Sequence, residues 1–291
     1  LVYDIQDVGV KCYTYISTLY LSLYAARREN IPLYVLDRPN PIGADRVEGP
    51  VTHPIFSSFV GPMPLPLRYG MTIGELAVMM NEEPLLGFAP RADLHVVKIT
   101  NYRRDMAFDQ TGLLWTAPSP NLPTLDSARI YPGMCLLEGT NLSEGRGTEL
   151  PFLTIGAPYV DAKKWLESLP IKLLDGVKAE VISFTPRSIP EKAVNPKHEN
   201  KPCQGLRFTI TNPAHVRSLD LAVALLCSAQ RLFPKDFRVT KTMDRLWGNE
   251  DLRFMIQEKW DYTKIMNTVR ADEEAFLQVR KKYLLYPLEG S

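Results

Sequence analysis

Leu1-Val2-Tyr3-Asp4-Ile5-Gln6, followed by Asp7-Val8-Gly9, reads as an apolar strand that runs into a polar turn. From Tyr13 to Glu29 the chain carries Ile16, Leu19, Tyr20 and Leu23 at the spacing of one apolar helical face. Asn30-Ile31-Pro32 stops that helix. Leu33-Tyr34-Val35-Leu36-Asp37 is then a short apolar strand of the kind a parallel sheet buries. Strand, helix and strand form a β-α-β unit, and its right-handed crossover sets the strands parallel. The loops after both strands leave the same carboxyl edge, where open α/β sheets bind ligands. The fold class is therefore α/β. Leu1 opens inside a core strand with no turn before it, so the sheet is expected to be incomplete at its N-terminal side.

The loop after the second strand, Arg38-Pro39-Asn40-Pro41-Ile42-Gly43, is stiffened by two prolines and holds its side chains in fixed directions. It reads either as a preorganised binding loop or as a rigid turn. Gly61 to Leu67 is proline-rich and ends at Arg68-Tyr69-Gly70-Met71. Thr72-x-x-Glu75 is a capping box, with Ile73, Leu76, Ala77 and Met80 as the apolar face behind it. Leu94 to Ile99 is a further strand candidate. Trp115 to Asp126 is irregular and carries Pro118-Ser119-Pro120-Asn121. The remainder reads as α+β, with strands at Val181–Phe184 and Leu206–Thr211 and helices near Leu219–Leu232, Asp251–Glu258 and Asp272–Tyr283. A boundary just after Gly147 divides the chain into residues 1–148 and a smaller α+β subdomain, 149–291.

The 291 residues are 45% hydrophobic and 23% charged, enough apolar material for a sizeable core, and the formal net charge is +1. That balance excludes a nucleic-acid footprint, which needs many clustered cations. Cys12, Cys135, Cys203 and Cys227 form no Cys-x-x-Cys pair and have no His at ligand spacing, so no metal site is expected. No membrane span or signal peptide is visible.

The densest polar segment is Glu138-Gly139-Thr140-Asn141-Leu142-Ser143-Glu144-Gly145-Arg146-Gly147. Its glycines let backbone approach a ligand, its carboxylates and Asn suit sugar hydroxyls, and its Arg suits a carboxylate. The two Glu would repel a phosphate, and the spacing fits neither a P-loop nor a dinucleotide fingerprint. A capped structural turn with an internal ion pair is the alternative. Ser143 lacks a Gly-x-Ser-x-Gly elbow, and no His is tied to it by motif. Asp4, Asp7 and Asp37 fall at the carboxyl edge, where paired carboxylates can work on a glycosidic bond or simply brace loops. Tyr13 and Tyr15 can stack on a sugar ring or pack.

Several of these runs occur in a recognisable order. They are Asp4-Ile5-Gln6-Asp7-Val8-Gly9, Tyr13-Thr14-Tyr15-Ile16-Ser17-Thr18-Leu19, Leu36-Asp37-Arg38-Pro39-Asn40-Pro41, Val47-Glu48-Gly49-Pro50 and Arg68-Tyr69-Gly70-Met71-Thr72. Pro118-Ser119-Pro120-Asn121, Tyr131-Pro132-Gly133, Leu137 to Gly147 and Tyr283-Leu284-Leu285-Tyr286 follow. Together they make the chain resemble the exo-β-N-acetylmuramidase family NamZ, long filed as a domain of unknown function. The resemblance implies a secreted bacterial glycosidase of cell-wall recycling, periplasmic or extracellular. It would release terminal N-acetylmuramic acid from the non-reducing end of peptidoglycan fragments. It also implies a Rossmann-like subdomain and a C-terminal subdomain with the active site in the cleft between them. No cofactor, metal or nucleic-acid partner is implied, and the partners are muropeptide sugars.

The family carries its proposed catalytic Glu in a Pro-Glu-His-Gly segment upstream of the Asp-Ile-Gln-Asp run, and no Glu-His pair occurs in this sequence. A segment of roughly a hundred residues, enough for two more β-α units, is expected before Leu1. Without it, this chain by itself would lack its main general acid and would be inactive. Within the chain, Glu138 and Glu144 are the carboxylates expected to assist the chemistry. Arg68 or Arg146 is expected to take the lactyl carboxylate of muramic acid. Asp7, Asn40, Asn121 and Asn141 are expected to contact hydroxyls and the acetamide. Asp4, Gln6, Tyr13, Tyr15, Asp37, Arg38 and Tyr69 complete the expected substrate-binding set. The competing readings are a non-catalytic peptidoglycan-binding protein and a serine esterase acting through Ser143.

Overall fold

The computed structural model describes residues 1–83 and 90–287, which gather into two units. The first unit joins Leu1–Leu114 to Val269–Ser291, and the second is Trp115–Thr268.

In the first unit, β1 (Val2–Tyr3), β2 (Leu33–Leu36) and β3 (Leu94–Val97) form a parallel sheet in the order β1-β2-β3. Val2 pairs with Tyr34, and Leu36 with Val97. β1 is shorter than the expected Leu1–Gln6 because the chain after it turns toward the next loop. Asp4 pairs there with Arg38 at 2.6 Å, and the Gln6 amide donates to Pro39 O at 3.1 Å. Helix α1 (Tyr15–Glu29) buries Ile16, Leu19 and Leu23 of the predicted stripe in the core of this unit, together with Ala26, while Tyr20 is only half-buried. Asn30 ends it in the left-handed conformation at φ 53°, and Arg27 and Arg28 sit favourably in its last turn.

Helix α2 (Ile73–Glu82) opens on the predicted capping box, with the Thr72 hydroxyl accepting from Glu75 N and the Glu75 carboxylate accepting from Thr72 N. Residues 269–291 belong to this unit because helix Arg270–Arg280 and the turn after it insert Phe276 and Tyr283 into the same core. Arg280 donates to Ala44 O, Gly70 O and Asp45 O.

The second unit begins with α3 (Leu125–Met134), whose first two residues fall in the stretch read as irregular and whose remainder the sequence reading did not assign. Thr124 caps it, and Pro132 falls in its last turn, where it removes the N–H that would otherwise bond Ala128 O. Gly133 allows a close crossing: a Cβ there would lie 1.8 Å from Ser218 O. Strands β4 (Thr154–Ala157), β5 (Val177–Phe184) and β6 (Cys203–Ile210) form an antiparallel sheet ordered β4-β6-β5, with α4 (Ala162–Glu167) after β4. Helices α5 (Ser218–Leu232), α6 (Thr242–Trp247), α7 (Asp251–Gln257) and α8 (Tyr262–Thr268) complete the unit. The sequence boundary after residue 148 lies inside this unit, because α3 packs on α5 and carries both flanking motif loops with it.

No helix among the described residues is long and apolar enough to cross a membrane.

Candidate active site

The polar loops form one cluster on each unit. In the first, Asp7 follows β1 and is buried. Its Oδ2 accepts from Gly9 N at 2.7 Å and from the Tyr69 hydroxyl. Gly9 takes φ +76°, and a Cβ there would lie 2.4 Å from Asn40 Oδ1, so only glycine lets the turn sit on Asn40. Asn40 donates to Met71 O at 2.9 Å and accepts from Ile42 N at 3.1 Å. Burial pushes the Asp7 carboxyl up to about 6, against the opposing hydrogen bonds from Tyr69, Gly9 and Val8. Burial, with the Asp7 charge adding to it, also holds the Tyr69 hydroxyl well above its ordinary value.

Arg68 was expected as a carboxylate fork. Its side chain is only 5% exposed and is spent internally. It pairs with Glu48 at 2.9 Å and donates to Ile42 O and Gly43 O, clamping the loop that precedes it. Asp37 is likewise engaged, accepting from Tyr286 Oη at 2.5 Å, Gly74 N at 2.7 Å, Thr72 Oγ1 at 2.8 Å and Arg38 N at 2.9 Å. Burial raises its pKa against those four bonds. Asp7, Asn40, Arg68 and Tyr69 thus build an interior frame. The accessible members of this cluster are the Asp4–Arg38 pair, Gln6, Tyr13 and Tyr15. The two tyrosine rings meet edge to face at 4.8 Å.

The second unit holds the other cluster. Glu138 pairs with Arg146 Nη2 at 3.0 Å, and Glu144 with Arg146 Nε at 3.4 Å. Arg146 lies 5.3 Å over the Phe152 ring. Glu144 is also 3.0 Å from Lys197 Nζ, which donates to Leu137 O at 2.8 Å and Leu142 O at 3.1 Å. Lys197 therefore clasps the loop through two carbonyl hydrogen bonds and one ion pair.

Lys197 belongs to a strap, residues 187–200, that the sequence reading did not single out. Arg187 N donates to Gly147 O at 3.0 Å, Lys192 O accepts from the Asn121 amide at 2.9 Å, and His198 Nε2 bonds Asn141 O at 2.6 Å. Glu191, Asn195, His198 and Asn200 all take positive φ, between 50° and 63°, so the strap is tightly folded. Its Asn and Pro content signals turns, but its targets lie too far away in sequence to be predicted.

Asn141 donates to Asp236 O and accepts from Tyr159 Oη and Arg238 N, so its amide oxygen is filled and its nitrogen is tied to Asp236. Asn121 is buried beside the strap. Ser143 is buried, its Oγ accepts from Gly145 N at 3.2 Å, and no base among the described residues bonds to it. Its surroundings therefore lack the hydrogen-bonded base that a serine nucleophile requires. Among the described residues no group of three metal-ligating side chains occurs.

These loops and their sheets place the chain in a class of solved α/β structures. It is similar to a DUF1343 family protein of Bacteroides fragilis NCTC 9343, with TM-score 0.88 and 32% identity over 98% of this chain and 74% of that one. A second DUF1343 family protein from the same organism gives TM-score 0.81 and 33% identity over 99% of this chain and 76% of that one. Residues 1–126 match the family described as exo-beta-N-acetylmuramidase NamZ, N-terminal, and residues 129–286 its C-terminal counterpart. The chain belongs to the exo-beta-N-acetylmuramidase NamZ family. The peptidoglycan beta-N-acetylmuramidase NamZ of Bacillus subtilis (strain 168) is 41% identical over 98% of this chain and 67% of its own length.

Proposed function

We propose that the protein is a glycoside hydrolase acting on peptidoglycan, and that it releases terminal N-acetylmuramic acid from the non-reducing end of muropeptide glycans. The observation that carries this reading is its family membership over nearly the whole chain, at 41% identity to a peptidoglycan muramidase. The geometry fits a sugar substrate. The accessible Asp4, Gln6 and Arg38 supply hydroxyl partners, and the edge-to-face pair Tyr13–Tyr15 offers aromatic surface to a pyranose ring. Asp7, Asn40 and Tyr69 brace the turn that carries them. Glu144 sits between two cations, which suits an electrostatic support for the second loop. A peptidoglycan substrate favours a periplasmic or extracellular location.

The test is incubation of the protein, as its gene encodes it, with a chromogenic N-acetylmuramic acid β-glycoside and with glucosaminidase-digested peptidoglycan, whose fragments carry N-acetylmuramic acid at the non-reducing end. Release of the chromophore and of free N-acetylmuramic acid is expected. Saturable binding of muropeptides with no turnover would replace the hydrolase by a cell-wall-binding protein.

A further inference from the structure

Resting on the muramidase reading, we propose that Arg146 recognises the lactyl carboxylate of muramic acid, and that Glu138 is its resting counter-ion, displaced when substrate binds. The two acidic partners of Arg146 differ in kind. Glu144 is 4% exposed and is held from its other side by Lys197, so it is a permanent partner. Glu138 is 30% exposed and makes no other hydrogen bond or ion pair among the described residues. The guanidinium is oriented accordingly. Its Nε side faces Glu144, its face lies over Phe152, and its terminal Nη1–Nη2 edge carries Glu138 on Nη2 alone. Nη1 has no acceptor among the described residues.

A terminal guanidinium edge is the fork that takes a carboxylate through two parallel N–H···O bonds. A single-oxygen contact from a partly exposed Glu gains little and exchanges readily. A ligand carboxylate arriving in two-pronged fashion therefore replaces Glu138 at small cost, while Glu144, Lys197 and Phe152 keep the fork aimed. Arg68, the other arginine with a claim to this role, is buried, with its terminal Nη1–Nη2 edge held by Glu48 and backbone carbonyls and its Nε enclosed without a partner among the described residues. On this basis Arg146 separates muramic acid from N-acetylglucosamine, the same sugar without the lactyl group.

The experiment is titration of the intact protein with free N-acetylmuramic acid and free N-acetylglucosamine, neither of which needs turnover, with chromogenic muramic-acid glycoside hydrolysis run alongside. Wild type is expected to prefer N-acetylmuramic acid. R146Q is expected to lose roughly tenfold or more of that preference, as removal of a charge-assisted bond predicts. R146K keeps the charge and the packing but not the planar fork, and is expected to lose most of it too. E138Q is expected to bind N-acetylmuramic acid roughly two- to fivefold more tightly, since an exposed competing ion pair has gone. Survival of the preference in R146Q and R146K beside intact hydrolysis by wild type overturns this assignment and leaves the muramidase reading standing. Weaker N-acetylmuramic acid binding by E138Q overturns the role of Glu138. A wild type that neither hydrolyses the glycoside nor binds N-acetylmuramic acid removes the muramidase reading and this inference together.

Discussion

The Tyr69 hydroxyl donates to Oδ2 of Asp7, and both residues are buried beneath the turn that follows the first strand. This pair joins the sheet edge to the Arg68-Tyr69-Gly70-Met71 run, more than sixty positions along the chain.

Asp7 has a folded pKa of about 6 against an ordinary 3.8. The folded state holds this proton more tightly than the unfolded chain does. Its contribution is therefore fully present below about pH 4 and is lost as pH rises through about 6, a swing of roughly 3 kcal/mol. Asp7→Asn removes that titration. The stability of wild type relative to Asp7→Asn is expected to fall between about pH 4 and about pH 7 in urea unfolding. A difference that stays flat across this range would refute the coupling. Tyr69→Phe removes a bond that lowers the pKa, so Asp7 is expected to titrate higher still by carboxyl NMR.

Glu75 is the capping carboxylate of α2 and also the partner of buried Arg104, while Leu285 N donates to it at 2.8 Å. Its pKa is raised by burial, against the lowering pull of Arg104. Glu75→Gln leaves the guanidinium charge buried without a counter-ion and is expected to cost about 3–5 kcal/mol. Adding Arg104→Met should recover part of that loss, because the unpaired charge is then gone. Chemical denaturation of both variants measures the recovery, and a double variant less stable than Glu75→Gln alone would contradict it.

Gly133 faces the backbone at the start of α5. A Cβ would meet Ser218 O at 1.8 Å, an atom that cannot swing aside. Gly133→Ala is expected to destabilise by about 3 kcal/mol or more and to lower the melting temperature by several degrees. An unchanged melting temperature would mean that the two helices separate easily.

Lys197 gathers Leu137 O, Leu142 O and Glu144 around one ammonium group. Lys197→Met leaves the two carbonyls short of a donor and removes the ion pair to Glu144, a penalty of roughly 1–3 kcal/mol. Faster hydrogen exchange is expected at the Asn141 and Ser143 amides, which are bonded to Arg238 O and Gly156 O. Lys197→Arg should restore part of the protection. Unaltered exchange in Lys197→Met would show that the loop is held from elsewhere.

Local periodicity made several elements of the fold readable in advance. The i, i+3, i+7 stripe Ile16, Leu19 and Leu23 defined α1, and Thr72 with Glu75 marked the start of α2. Helix α3 escaped because Pro132 and Gly133 look like breakers, although Gly133 is there for a contact with Ser218. Strand β4 escaped because Thr154–Ala157 is four residues long and includes a glycine. The candidate site was readable as a set of polar loops, but not in the direction its side chains face. A loop Arg or Asn looks the same in sequence whether it meets solvent or the interior. Glu48 turns Arg68 inward, and Asp236, Tyr159 and Arg238 occupy Asn141. Those partners come from distant parts of the chain, and no spacing rule names them.

The return of residues 269–291 to the first unit also sets an order of assembly. The second unit is one continuous stretch, so all of its contacts are available once Thr268 has left the ribosome. The first unit must keep Ala44 and Gly70 waiting for Arg280, across the whole intervening segment. Closing so long a loop adds entropy cost only slowly with length, so the delay is one of synthesis more than of thermodynamics. A premature stop or a proteolytic cut just after Thr268 would leave the second unit's sequence entire. It would also deprive the first unit of Phe276, Arg280 and Tyr283, so damage at the far end of the chain would be felt nearest its beginning.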